Sequence, residues 1–155
     1  MTQTEIRSLT QQLGNHLDDL KTLMSTTSEE ILCRKPDISS WSPKEILGHI
    51  YDVELVFQYR LKMIAERNLI AIPSFNQNLW VQEHEYNQWD TQLLVDTFIS
   101  LRRNLIFWLG RIKEAIWVKE GIHSERGKVT FQSLVDLLLS HYKHHFNQIQ
   151  DRINA

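Results

Sequence analysis

The sequence predicts an all-α protein, a four-helix bundle with long connections. Three observations carry that reading. Four segments of about 20 residues keep an apolar stripe at helical period. Only 5 Gly and 3 Pro interrupt 155 residues. The 5 Trp, 6 Phe and 4 Tyr supply large side chains for a core. No repeat, low-complexity tract or linker divides the chain, so residues 1–155 read as one domain.

Thr2 and Glu5 have capping-box spacing, and Ile6, Leu9, Leu13, Leu17, Leu20 and Leu23 share one face, so the first helix is expected over Gln3–Leu23. Thr27 and Glu30 repeat the spacing ahead of Ile31 and Leu32, predicting a short helical turn that Lys35-Pro36-Asp37 stops. Ser42-Pro43-Lys44-Glu45 is the clearest helix start: an N-cap serine, proline at the first helical position and glutamate at the third. The second helix that follows carries the stripe Ile46, Ile50, Val53, Phe57, Leu61 and Ile64. From Arg67 to Trp89 the pattern loosens into a long connection, partly helical or functional, whose Phe75, Trp80, Tyr86 and Trp89 are expected to pack down as core. Asp90 caps a third helix with Leu94, Phe98, Leu101, Leu105, Trp108 and Ile112 inward and Arg102 and Arg103 on the opposite side. Gly121 and Gly127 bracket a polar segment that breaks helical periodicity. Thr130 caps the fourth helix, with Phe131, Leu134, Val135, Leu138, Tyr142, Ile149 and Ile153 as its stripe.

Charge and composition remove several classes of function. Lys plus Arg number 17 against 19 acidic residues, a net charge of -2, which leaves no excess of positive charge to follow a phosphate backbone. The single Cys33 cannot close an intramolecular disulfide. The opening MTQTEIRSL lacks the order of a signal peptide, and no apolar run approaches the roughly 18 residues of a membrane span. The expectation is a soluble, cytoplasmic protein without a nucleic-acid or membrane partner.

The histidines are the chemistry-bearing feature. His141 and His145 are spaced i, i+4, so one helical face carries both. At about 100° per residue, His145 and His141 lie roughly 50° and 90° from the centre of their stripe, His49 roughly 70° from its own, and His144 about 150° away, pointing outward. Three imidazoles at the edges of two buried faces can meet in a seam, hold a divalent ion and leave a position open for water or substrate. Each must be neutral to bind, so affinity is expected to fall below about pH 6.5. Spacing alone equally fits ordinary helix histidines, hydrogen-bonded or solvated. Asp52, one turn after His49, can orient an imidazole or bind the ion, and Gln148 lies on the flank of His141 where it can support a ligand. Solvated roles fit both as well. Glu45 is accounted for by its capping box. His84 and His123 lie in connections that fold over the bundle's end, and Cys33, with no histidine near it in sequence, reads as a packed or exposed thiol.

The stretch from Trp41 to Asp52, WSPKEILGHIYD, and the stretch from His141 to Ile149, HYKHHFNQI, resemble the DinB/YfiT-like superfamily of metalloenzymes. The similarity continues through Ile72–Gln77 and Gly121–Thr130 and so covers nearly the whole chain from the second helix onward. The resemblance implies a four-helix bundle that holds a metal on one histidine of the tryptophan-led helix and two at i, i+4 on the last. Position by position these are His49, His141 and His145, none of them substituted. It implies a divalent metal, zinc or nickel, and a small-molecule substrate, and it admits a homodimer. Relatives include thiol-dependent S-transferases and a mycothiol-dependent isomerase. The implied reaction is therefore transfer of a low-molecular-weight thiol, such as bacillithiol or glutathione, to a small electrophile. The alternative is a non-catalytic metal- or ligand-binding bundle.

Overall fold

A computed structural model describes residues 1–155. The expected first helix is two, α1 (Gln3–Gly14) and α2 (Leu17–Thr26). Gly14 and Asn15 are poor helix formers, Asn15 turns extended, and His16 takes the left-handed region at φ 63, so the chain is re-aimed between the two. The stripe survives the break as far as Leu20, after which Met24 is buried and Leu23 only half-buried. Helix α3 (Glu29–Leu32) is the expected short turn, capped by Ser28 where Thr27 had the spacing.

Helix α4 (Pro43–Glu66) starts as its sequence dictates: Ser42 and Glu45 form a reciprocal capping box with Pro43 at the first position. All six residues of its expected stripe are buried. Its first two turns are buried on nearly every side, because the connections pack over them. Tyr86 is what closes one side. Its ring lies so near the backbone of Gly48 that a Cβ there would sit 2.1 Å from it, and its hydroxyl donates to Asp52 at 2.5 Å, one turn on.

The connections contain a sheet that the sequence did not announce, since strands of three or four residues leave too little alternation to read. Strand β1 (Ile70–Ile72) pairs in parallel with β2 (Glu120–His123), which pairs antiparallel with β3 (Gly127–Thr130). Gly127, at φ 70, supplies the left-handed residue that lets the turn through Ser124, Glu125 and Arg126 close. Between β1 and β2 run α5 (Gln77–His84) and α6 (Thr91–Leu109), and β3 passes through the N-cap Thr130 directly into α7 (Phe131–Asn154). Helix α4 packs on α6 and α7, and α1 and α2 pack on α6.

Arg102 corrects the reading of α6. It is buried rather than solvent-facing, because buried Glu54 on α4 supplies its counter-charge through bonds of 2.9 and 2.8 Å. Its third nitrogen donates to the carbonyl of Leu13 at the end of α1, at 3.3 Å, and the guanidinium lies over the rings of Phe98 and Tyr142. The buried face of α6 turns accordingly toward Val95, Ile99 and Leu109, leaving Leu101 and Trp108 half-buried, and Ile112 falls beyond the helix end. Arg103 is exposed as expected.

The pair lies where two apolar clusters meet, one with Val53, Leu105 and Leu138, the other with Ile50, Ile99 and Tyr142. Arg102→Met leaves Glu54 a lone buried carboxylate and is expected to cost about 3–5 kcal/mol. Combining it with Glu54→Leu should recover much of that loss. Urea unfolding of the single and double variants checks this, and equal losses in the two would refute it.

Candidate metal centre

His49 enters from the second turn of α4, and His141 and His145 from α7, whose start is fixed by β3. The three rings meet in the seam between the helices. Their centroids are 4.9 Å apart for His49 and His141, 4.8 Å for His49 and His145, and 4.3 Å for His141 and His145. One nitrogen from each lies within 4.8 Å of the others, a grouping able to hold a metal ion. The Nε2 atoms of His49 and His141 are 2.9 Å apart.

Hydrogen bonds around the rings decide which nitrogens are free. Nδ1–H of His145 donates to Oε1 of Gln148 at 2.7 Å, which leaves the Nε2 lone pair open. Gln148 therefore supports His145, its neighbour at i-3, rather than His141 as its flank suggested. Nδ1 of His49 is buried without a partner, and Trp41 covers that ring at 4.8 Å between centroids. Two nitrogens bound to one ion at about 2.1 Å stand about 3.0–3.4 Å apart at octahedral to tetrahedral angles, close to the separation of the two Nε2 atoms. Three imidazoles with convergent nitrogens and no carboxylate among them fit a borderline divalent cation.

Burial, reinforced by the neighbouring His145, lowers the pKa of His49 from 6.5 to about 3. Burial likewise lowers His141 to about 3, with His145, His49, His144 and Arg102 adding to it. His145 is lowered by burial as well, opposed by its bond to Gln148. The cluster is therefore neutral at pH 7, and proton competition with a cation is moved below the expected window near pH 6.5.

The other candidates separate. Asp52 is buried but faces Tyr86. Its second oxygen is buried without a partner, and burial raises its pKa. Glu45 serves its cap and pairs with Lys35. His144 is exposed as expected, and His84 is exposed too, stacked on Tyr86. Trp80 and Trp89 are half-buried, Trp80 against Phe75 and Trp89 against Tyr86. Cys33 sits beside Glu29 and the carbonyl of Asn87, and burial raises its pKa, the opposite of an activated thiol.

His123 stays outside the cluster but lines a cavity of about 350 Å³ whose wall includes His141. Phe57, Arg60, Phe75, Glu125 and Arg126 line the same space. Sequence reasoning passed over Arg60, Glu125 and Arg126. The signal lay in the Ile72–Gln77 and Gly121–Thr130 segments, which carried the family resemblance and which supply Phe75, His123 and Arg126.

A four-helix bundle with a three-histidine seam is thus the class that fold and site define, and the sequence profile of the DinB superfamily matches residues 12–149. The chain belongs to the DinB superfamily. A protein of Oceanobacillus iheyensis named Putative metal-dependent hydrolase OB0413 is 26% identical over 154 residues, covering 97% of this chain and 86% of its own. YfiT of Bacillus subtilis, described as a probable metal-dependent hydrolase with an unusual four-helix bundle topology, superposes with a TM-score of 0.89 at 15% identity, over 98% of this chain and 87% of YfiT. The DinB-like protein YjoA of Bacillus subtilis superposes at 0.68 with 18% identity, over 95% of this chain and 90% of YjoA. No helix is long and apolar enough to cross a membrane.

A pH dependence follows from the lowered pKa values. The unfolded chain takes up protons on His49 and His141 below about pH 6.5, whereas the folded one refuses them until about pH 3. Stability of the metal-free protein is full above that window and falls as the pH drops through it. His49→Gln should flatten the fall between about pH 7 and pH 4. Melting curves of both proteins in chelator, followed by circular dichroism, check this; parallel decline in the two would contradict it.

Proposed function

We propose that this chain is a metal-dependent enzyme in which His49, His141 and His145 hold one divalent ion, zinc or nickel, and which joins a small thiol to an electrophilic substrate. The observation that carries the reading is the convergence of three neutral imidazole nitrogens, two of them 2.9 Å apart, beside a cavity large enough for a small molecule. When bound, the ion supplies acidity, bringing the pKa of a coordinated thiol or water down toward neutral pH.

The protein's part is to aim and to hold. Gln148 fixes the tautomer of His145, Trp41 fixes the ring of His49, and the desolvated seam keeps all three imidazoles neutral. His123 is held neutral as well: burial first, then Arg60 and Arg126, lower its pKa. Its Nδ1 accepts from the backbone N–H groups of Glu125 and Arg126 at 3.1 and 3.3 Å, so Nε2 carries the proton. In that tautomer His123 is a hydrogen-bond donor and not a base.

A second reading, hydrolysis with water as nucleophile, is favoured by the names of the Oceanobacillus relative and of YfiT. One experiment separates the two. Zinc- or nickel-loaded protein is incubated with a panel of activated electrophiles, with and without bacillithiol or glutathione, and thiol loss and acid release are followed side by side. Thiol-dependent turnover is expected, and His145→Ala should lower it by about a hundredfold or more. Turnover independent of thiol transfers the proposal to hydrolysis. Turnover equal in wild type and variant would defeat both readings.

A further inference from the structure

The two buried arginines of this protein live in opposite circumstances. Arg102 has Glu54. Arg60, also buried, has no carboxylate partner, although an unpaired charge in a desolvated place is costly. Its one protein bond runs from Nη2 to the carbonyl of Pro73 at 2.6 Å, and its guanidinium lies beside the rings of Phe57 and Phe75. The remaining nitrogens of Arg60 are not buried without a partner, and Arg60 lines both this cavity and an apolar groove with Tyr59 and Trp80. Arg126, likewise outside any ion pair, lines the same space, and Glu125 is the one carboxylate there. His123 adds an N–H donor, and His141 stands in the wall as the link to the histidine cluster.

We propose that this cavity is an oxyanion subsite: Arg60 and Arg126, with Nε2–H of His123, hold the carboxylate or phosphonate end of a small organic substrate whose other end meets the histidine cluster. The guanidinium fork matches a carboxylate or phosphonate, and Phe57 and Phe75 cover the apolar body between. The assignment rests on the proposed metal site only for the position of the reacting end. The anion itself is held by protein groups and binds with or without the ion.

Calorimetric titration with benzoate, phenylphosphonate and neutral benzamide, on chelator-treated and on zinc-loaded protein, tests this. Benzoate and phenylphosphonate are expected to bind both forms, and benzamide roughly tenfold more weakly or less. Arg60→Met should weaken the anions by roughly tenfold and exposed Arg126→Gln by a smaller factor. Should Arg60→Met not fold, the wild-type preference for benzoate over benzamide and the Arg126→Gln variant decide. Equal binding of benzoate and benzamide, anion binding that vanishes with the ion, or no binding at about 10 mM would each overturn the proposal. A protein that takes up no metal yet prefers benzoate through Arg60 keeps this inference and loses the metal reading; metal uptake without anion preference does the reverse.

Discussion

At the centre of the bundle Glu54 and Arg102 form a buried ion pair that draws three of its elements together. It ties α4 to α6, reaches the end of α1 through the Leu13 carbonyl and lies against Tyr142 of α7. A guanidinium taken out of water needs its charge and its donors answered together, and here one carboxylate and one carbonyl answer them. The pair lies where the two apolar clusters meet, and the guanidinium rests on Tyr142, the residue that follows His141 in α7.

The same desolvation then works on the histidines in the opposite sense. The charge of Arg102 is answered by Glu54, while burial keeps the imidazoles neutral, helped at His141 by the neighbouring histidines and Arg102. Neutral rings with their lone pairs inward are what a divalent cation requires. Next to them the cavity with Arg60 and Arg126, against the single carboxylate of Glu125, carries an excess of positive charge. A neutral donor set beside a positive pocket divides the labour: one part suits a cation and the other an anionic small molecule.

Much of this was legible in the chain. The Ser42-Pro43-Lys44-Glu45 start fixed the phase of α4, and helical arithmetic then placed His49 at the edge of its buried face, as it did His141 and His145 on α7. Local rules failed wherever a distant partner decided the outcome. Arg102 reads as solvent-facing until Glu54, forty-eight positions earlier, is known to stand opposite. The first helix reads as continuous because its leucines keep period across Gly14 to His16, and periodicity does not register a left-handed residue. The strands are too short to alternate. Arg60 and Arg126, far apart in sequence, become neighbours of one cavity only because the sheet folds the Pro73 and Gly127 segments together.

Whether the three histidines hold an ion is decided by metal stoichiometry with X-ray absorption on untagged protein purified without added metal, beside His141→Ala. Close to one divalent ion per chain is expected, with scattering from about three imidazole nitrogens near 2.1 Å, and its loss in the variant. No ion in the wild type, and none taken up on adding zinc or nickel, would leave the three histidines as packing residues and rule out a metal centre.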